Sequence, residues 1–352
     1  MTGEYGVGLI GVNASRGWAR ESHVPAIQAL RGLRLAAVAT RSQETADAAA
    51  AAFGVERAYG DAADLIADQT VEVVGVVASV PAHRGLITAA VHARKHVLTE
   101  WPVGVDSAEG ARIRAVTAGA SSHVAVGLQA RFNPAVSELR RLLEASAIGR
   151  VLSATVYSST AAFGERLSPS QVALEDPTVG MNLVTIQLAH TLDLVEVLLG
   201  PLGDITAQFS TQYPELRVDG TDRRLHRSLP DHVLVRGRAG RTPVTVEVVG
   251  GRPAEDCPFR LELYGEEGAL DLLGGSERGF QAGSLRLVRD GDPVDIEGGE
   301  TAGLRESVVN TAGVYAALRD DIDTGTVTAP SLDDAARLTR LLDTVRKAAN
   351  GS

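Results

Sequence analysis

The residues best suited to chemistry begin almost at the amino terminus, in the stretch Gly6-Val7-Gly8-Leu9-Ile10-Gly11-Val12-Asn13-Ala14-Ser15-Arg16-Gly17. Its apolar run, Val7 to Val12, reads as a buried strand ending in a glycine-bearing turn. Such a turn brings backbone N–H groups close to a pyrophosphate, whose charge is favoured by the positive end of a following helix. The candidates here are Gly11, Asn13, Ala14 and Ser15. The usual pattern has glycine two residues after Gly11, where this chain has Asn13. Asparagine is the next-best residue for a left-handed backbone, and its amide can itself meet a phosphate. The alternative is an ordinary strand–turn–helix connection.

A second strand, Leu33–Ala39, is followed by Thr40-Arg41-Ser42. In a dinucleotide fold this point lies beside the adenosine ribose, ~20 residues beyond the glycines, where an Asp or Glu would bind both ribose hydroxyls. This chain offers two hydroxyls and a guanidinium instead. Arg41 can pair with a 2′-phosphate through a forked hydrogen bond, which favours NADP, with NAD the other possibility. Alternatively, Ser42 only caps the helix Gln43–Phe53 and Arg41 is solvated.

These residues need a scaffold, and the first part of the chain supplies an alternation of strand and helix. Helices are expected at Thr45–Phe53, Asp61–Ala67, Arg84–Arg94 and Ser107–Ala118, and further strands at Val71–Ala78, His96–Thr99 and His123–Leu128. The alternation implies a parallel, doubly wound sheet with ligands at the carboxyl ends of its strands. Ser79-Val80-Pro81-Ala82-His83, Glu100-Trp101-Pro102 and Gln129-Ala130-Arg131 occupy such ends, so these loops should converge on one crevice. His83 is placed either to stack near a nicotinamide or to begin a helix in solvent.

After Pro134 the texture changes. A helix at Ala135–Ala145 precedes strand-like segments at 150–158, 204–211, 232–238, 243–249, 260–264, 269–273 and 284–289. One helix, Met181–Leu199, interrupts them, and two more (Leu304–Ile322 and Ser331–Ala349) close the chain. We read residues 1–130 as a Rossmann dinucleotide-binding domain. Residues 131–352 read as an α+β domain for substrate and oligomerisation, an open, mostly antiparallel sheet with helices on one face. The last helices are free to pack back on the first domain. An open sheet face suits a copy of itself, so a homo-oligomer, dimer or tetramer, is expected.

Composition sets the bounds. The 352 residues are 44% hydrophobic and 22% charged, as in a globular protein, and the length calls for two domains. A net charge of −10 with no Lys/Arg-rich block argues against a nucleic-acid or anionic-membrane partner. No signal core or bilayer-length apolar run is read, so no membrane role is expected. Cys257 is the single cysteine, which excludes an internal disulfide and fits a cytoplasmic home. The histidines are scattered without paired ligand spacing, so no metal site is expected.

Glu100-Trp101-Pro102, Gln129-Ala130-Arg131-Phe132-Asn133-Pro134 and the helix bearing His190-Thr191-Leu192-Asp193 resemble the glucose–fructose oxidoreductase/inositol dehydrogenase (Gfo/Idh/MocA) family. The resemblance covers nearly the whole chain. It implies an amino-terminal Rossmann domain and a carboxyl-terminal open-sheet domain with the nicotinamide between them. It also implies that Ser79, Val80, Pro81, His83, Glu100, Trp101, Pro102 and Gln129 join the cofactor site. Most family enzymes carry a lysine at the middle of the Glu-x-Pro loop, to handle a substrate hydroxyl proton; here it is Trp101. An aspartate is common four residues before the helix histidine; here it is Ile186.

Oxidising an alcohol needs a base and reduction the matching acid, and an indole cannot exchange a proton near neutral pH. Trp101 can stack on or wall off a nicotinamide, but it cannot act as the lysine does.

Gly11–Ala19, Ser22-His23-Val24-Pro25-Ala26-Ile27, Leu128-Gln129, Leu183-Val184-Thr185 and Leu229-Pro230-Asp231-His232 look like the branch of the fungal galactose-pathway repressor, which makes Trp18 a cofactor-side residue. The substrate candidates are Trp101, Arg131, Tyr157, Asn182, His190 and Asp193. His190, the catalytic candidate, reads as a general acid oriented by Asp193 one turn later, or as a satisfied core histidine. Arg131 reads as an anchor for an anionic or carbonyl-bearing ligand, or as a structural ion pair. Tyr157 reads as a pocket hydroxyl or as core. The expected function is an NADP(H)-dependent oxidoreductase with a lysine-free site, reducing a small carbonyl, imine or activated alkene. The alternative is a catalytically silent NAD(P)-binding regulator acting through a protein partner.

Overall fold

The amino-terminal alternation builds a six-stranded sheet in the computed structural model, which describes residues 4–169 and 171–351. Its strands are β1 (Tyr5–Ile10), β2 (Leu33–Ala39), β3 (Arg57–Tyr59), β4 (Val73–Val76), β5 (His96–Thr99) and β6 (Val124–Val126). They run parallel in the order β3-β2-β1-β4-β5-β6, the arrangement of a dinucleotide-binding sheet. Val7, Leu9, Val74, Val76 and Val97 are fully buried, because helices cover both faces of such a sheet.

Local chemistry starts and stops those helices. They are α1 (Val24–Ala29), α2 (Gln43–Phe53), α3 (Ala62–Ala67), α4 (Val80–His92) and α5 (Ser107–Thr117). Ser42, Asp61 and Asp106 each accept a backbone N–H with the side chain at the start of a helix, and Gly54 ends α2 in the left-handed region at φ 70°. Helix α4 begins four residues earlier than the sequence suggested, since Pro81 is favourable in a first turn.

Register decides where the loops emerge. Ile10 is paired with Ala39 and Val76, Val76 with Thr99, and Thr99 with Val126. Strands β2, β1, β4, β5 and β6 therefore end flush, and the loops at 11, 40, 77, 100 and 127 leave one edge.

The second half contains α6 (Pro134–Glu144), β7 (Val151–Ser159), β8 (Arg166–Leu167), α7 (Ala189–Leu199), β9 (Leu202–Ser210), β10 (Glu215–Val218), β11 (Arg224–His226), β12 (His232–Ala239), β13 (Thr242–Val249), β14 (Phe259–Gly265), β15 (Ala269–Gly274), β16 (Leu285–Arg289) and β17 (Asp292–Pro293). Eight of these strands form one sheet in the order β17-β16-β15-β14-β7-β13-β12-β9, antiparallel except for the β7–β13 pair. Alternation gives it one buried face, with Ala154, Val156, Val244, Val246, Val248, Leu261 and Leu263 inward. The chain closes with α8 (Glu306–Thr324) and α9 (Leu332–Asn350).

Two compact units result: Met1–Gln129 with Glu300–Arg337, and Ala130–Gly299 with Leu338–Ser352. Residues 300–337 thus return to the first unit. The segment Pro177–Leu199 is apolar enough to resemble a membrane span, yet 72% of that window is buried in the protein, as befits a core helix.

A small sheet, β11-β10-β8, was not anticipated from the sequence. It is locked by Arg227, whose side chain is 1% exposed. Its Nε and Nη2 donate to the two oxygens of Glu175 at 2.9 and 2.6 Å, and Nη1 donates to Asp231 Oδ2 at 3.1 Å. Nη1 and Nη2 also donate to the carbonyls of Phe163 and Gly164. Asp231 in turn accepts the N–H groups of Gln212 and Tyr213 at 2.7 and 2.9 Å. Removing only the cation strands two buried carboxylates, a change that costs about 3–5 kcal/mol. Arg227→Met is therefore expected to lose about 3 kcal/mol or more of unfolding free energy, measured by urea titration at pH 7.

Candidate nucleotide and substrate sites

The turn after β1 is shaped by a close approach. Gly11 has φ +93°, and a Cβ there would lie 2.7 Å from the Cα and N of Ala78. Only glycine fits, and the 11-loop rests directly on the 78-loop. Asn13 does not take the left-handed role expected of it, which falls to Gly11 and to Gly17 at φ +95°. Its Oδ1 instead accepts the N–H groups of Ser15 (3.0 Å) and Arg16 (3.2 Å) and the Ser15 hydroxyl (3.0 Å). A short amide closes a turn from its own side chain without leaving the ordinary φ range. Arg20 Nη1 donates to the Ala14 carbonyl at 2.6 Å and braces the far side of the turn.

Trp18 opens the following helix, whose first stretch, Ala19–His23, is a π turn closed by Val24 N–H on the Ala19 carbonyl. Pro25 has no N–H, and the Glu21 carbonyl four residues back receives the Ser307 hydroxyl at 3.2 Å instead.

At the second strand end, Thr40, Ser42 and Thr45 bond one another: Thr40 Oγ1 lies 2.5 Å from Thr45 Oγ1, and Ser42 Oγ caps Thr45 N–H at 3.3 Å. The capping role weighed for Ser42 is therefore present. Arg41 is exposed and makes no ion pair among the described residues, so its guanidinium is open to a ligand.

At the third, Ser79 precedes α4 without a side-chain capping bond, Val80 is buried, and Pro81 lies in the first turn. His83 is not solvated: it is 1% exposed, and its Nε2–H donates to the Ala78 carbonyl at 3.0 Å. Burial lowers its pKa, so it braces the loop as a neutral ring.

At the fourth and fifth, Trp101 is buried, Glu100 half-buried and Gln129 buried. Glu100 Oε1 lies 2.9 Å from His23 Nε2, and His23 Nδ1 lies 3.0 Å from Tyr315 Oη. The sequence pattern alone gives His23 no role in the site. Its signal was a histidine two residues before the helix proline, but its partners lie 77 and 292 positions away.

Three buried side-chain atoms of this unit, Trp18 Nε1, His83 Nδ1 and Gln129 Oε1, have no hydrogen-bond partner among the described residues. Buried polar atoms are nearly always paired, so a donor and an acceptor left open at the strand-end loops fit a polar ligand. A dinucleotide meets that requirement. The residues that would hold it are Gly11, Ala14 and Ser15 at the pyrophosphate, Thr40, Arg41 and Ser42 at the ribose, and Trp18, Glu100, Trp101, Pro102 and Gln129 at the nicotinamide half.

In the second unit, Asp193 does not orient His190. It is 1% exposed and takes Arg131 in a two-pronged ion pair, Nε to Oδ2 at 2.8 Å and Nη2 to Oδ1 at 2.5 Å. A planar guanidinium outcompetes an imidazole for a buried carboxylate. Asn182 caps the turn Val184–Leu188, its Oδ1 accepting Val184 N–H (3.0 Å) and Thr185 N–H (3.1 Å). Tyr157 is not grouped with His190. Gln187, just before α7, donates to Ser158 Oγ at 2.7 Å, so Ser158 faces the helices and its neighbour Tyr157 faces the open side of the sheet.

The comparisons with known proteins agree with this architecture. The model of an oxidoreductase family with an NAD-binding Rossmann fold matches residues 5–128, and that of the Gal80p C-terminal domain matches residues 134–274. An inositol 2-dehydrogenase of Acidothermus cellulolyticus is 30% identical, over 76% of this chain and 72% of its own. The chain belongs to the Gfo/Idh/MocA oxidoreductase family. Dehydrogenase aclE of Aspergillus oryzae is 28% identical, over 90% of this chain and 87% of its own. Among solved structures, a super-repressor mutant of Gal80p from Saccharomyces cerevisiae superposes with TM-score 0.87 at 22% identity, covering 99% of this chain and 97% of its own. Levoglucosan dehydrogenase in complex with NADH and L-sorbose gives 0.84, 22%, 99% and 97%. At these identities the two structures speak to the fold.

In this family member the helix histidine carries no charge. Burial pushes the His190 imidazole down to about 3. Its Nδ1 has no hydrogen-bond partner among the described residues, so none of them offsets the cost of ionising it. The unfolded chain binds this proton near pH 6.5 and the folded chain only near pH 3. Stability from this group is thus complete above pH 6.5 and lost as the pH falls through that interval. Urea midpoints of wild type and His190→Gln at pH 7 and pH 4 test this, the variant being expected to lose less on acidification.

Proposed function

We propose that this protein is an NADP(H)-dependent oxidoreductase that reduces a small carbonyl, imine or activated alkene at a lysine-free site. The observation that carries the cofactor reading is the open pair Trp18 Nε1 and Gln129 Oε1 beside a turn that only Gly11 can make. The exposed Arg41, without an ion pair among the described residues and with no carboxylate in the Thr40-Arg41-Ser42 stretch, supports NADP over NAD. When bound, the nicotinamide supplies the hydride.

The chain's own residues bind, orient and exclude water. Trp101 walls the site with an apolar face and exchanges no proton. His190, neutral, serves as a hydrogen-bond donor that polarises a substrate carbonyl. The proton comes from the substrate's own groups or from water. The Arg131–Asp193 pair holds the helix of His190 in place. The cytoplasm is the compartment that suits this cofactor and the lone thiol.

Two features favour a second reading, a cofactor-binding regulator acting through a protein partner: Trp101 at the usual lysine position and the Gal80p-type match over residues 134–274. Incubation with NADPH and a panel of aldehydes, ketones, imines and enones decides between them. Turnover displaces the regulator, and tight binding without turnover displaces the enzyme.

Arg41→Ala is expected to weaken NADPH about tenfold or more by calorimetry and to leave NADH nearly unchanged, and equal losses would remove the phosphate role. Trp101→Lys is expected to create measurable alcohol oxidation with NADP⁺ from a background of none, followed by absorbance of the reduced nicotinamide.

A further inference from the structure

We propose that His23 is a positioning residue for the coenzyme: it fixes the Glu100 carboxylate, and with it the Glu100-Trp101-Pro102 loop, against the helix that follows the Gly11 turn. This rests on the dinucleotide reading of the strand-end loops.

The geometry leaves the imidazole a single job. Its side chain is 0% exposed, and both ring nitrogens are engaged, Nε2 with Glu100 Oε1 at 2.9 Å and Nδ1 with Tyr315 Oη at 3.0 Å. The Tyr315 ring meets it edge-on, centroids 5.7 Å apart and planes at 88°. Tyr315 is buried, which holds its hydroxyl well above its ordinary pKa, so it stays an O–H and can donate to Nδ1. With Nδ1 accepting, the ring proton sits on Nε2 and points at the carboxylate. One neutral tautomer therefore satisfies all three groups.

The carboxylate is confined on its other side too. A Cβ at Gly127 would lie 2.9 Å from Glu100 Oε1, so the backbone just after β6 closes over it. The helix bearing His23 is tied down independently: Ser22 Oγ donates to the Ser307 carbonyl at 2.5 Å and lies 2.6 Å from Thr311 Oγ1 on α8. His23 thus joins the helix after the pyrophosphate turn, the loop of Trp101, and α8. Trp101 follows Glu100 directly, so a shift of that carboxylate displaces the indole proposed to wall the nicotinamide.

A merely structural histidine and a positioning one differ in what rescues them. Gln at position 23 can present an amide N–H where Nε2–H stood, whereas Leu fills the space and cannot donate. The protein has two tryptophans, Trp18 and Trp101. Fluorine NMR of protein carrying fluorotryptophan therefore gives two signals, which Trp18→Phe assigns, and it reads the Trp101 loop without coenzyme. Calorimetry with NADPH reads binding in proteins that keep Trp18.

His23→Leu is expected to shift the Trp101 signal and to weaken NADPH about tenfold or more, the scale of one lost charged hydrogen bond. His23→Gln is expected to restore both readouts to near wild type. Glu100→Gln should weaken binding similarly, and the double variant His23→Leu/Glu100→Gln should be no worse than His23→Leu alone. An unmoved Trp101 signal and unchanged affinity in His23→Leu would overturn the proposal, as would a His23→Gln as impaired as His23→Leu. If His23→Leu does not fold, Glu100→Gln and Tyr315→Phe carry the test, and wild-type behaviour of both in the two readouts overturns it. Failure of the wild type to bind either dinucleotide removes the coenzyme reading, while the Trp101 signal still decides whether His23 holds the loop.

Discussion

At residue 11 the backbone passes so close to Ala78 that no side chain fits between them, and the rest of the candidate site depends on that approach. It seats the first strand-end turn on the third strand-end loop. Flush register then brings the loops of β2, β5 and β6 to the same edge. A Cβ at position 11 would force the two loops apart and demand an unfavourable φ as well. The remaining parts of the turn are adjustments to this contact. Asn13 ties its own backbone, Arg20 braces Ala14, and a π turn carries His23. Such turns occur often at functional sites because one extra residue rotates the side chains that follow.

The chemistry follows from which groups hold a proton to exchange and which do not. Trp101 stands where the family resemblance implies a lysine, and its N–H is inert near neutral pH. His190 is neutral by burial, and its carboxylate neighbour in sequence is bound to Arg131 instead. Glu100 keeps a carboxylate beside Trp101, held by an imidazole that is itself held by a phenol. Groups that position therefore outnumber groups that exchange protons. That balance suits a reduction in which orientation lowers the barrier, and it equally suits a binding protein that has ceased to turn over.

The second unit shows the same economy of charge. Arg227 gathers Glu175, Asp231 and two carbonyls, and through them the segment around Phe163, the small three-stranded sheet and the start of β12. Phe163 sits at φ +66°, a conformation a bulky residue avoids unless its surroundings impose it, and its carbonyl is one of the groups that Arg227 binds.

The sequence by itself determined the alternation of strand and helix, the buried runs at Val7–Ile10 and around Val74, the glycine of the first turn, and the cap at Ser42. Each arises within a few residues, from side-chain period, φ freedom or a capping oxygen, so each is written locally. A three-residue strand such as β3, or two-residue β8, shows no period and was missed for that reason. Tertiary structure decided the partners of the polar side chains. Asp193 went to Arg131, 62 positions away, rather than to His190 three away, and His23 found Glu100 and Tyr315 across 77 and 292 positions. A buried charge or imidazole takes the best donor or acceptor that the returning chain delivers, and no local pattern encodes which segment will return.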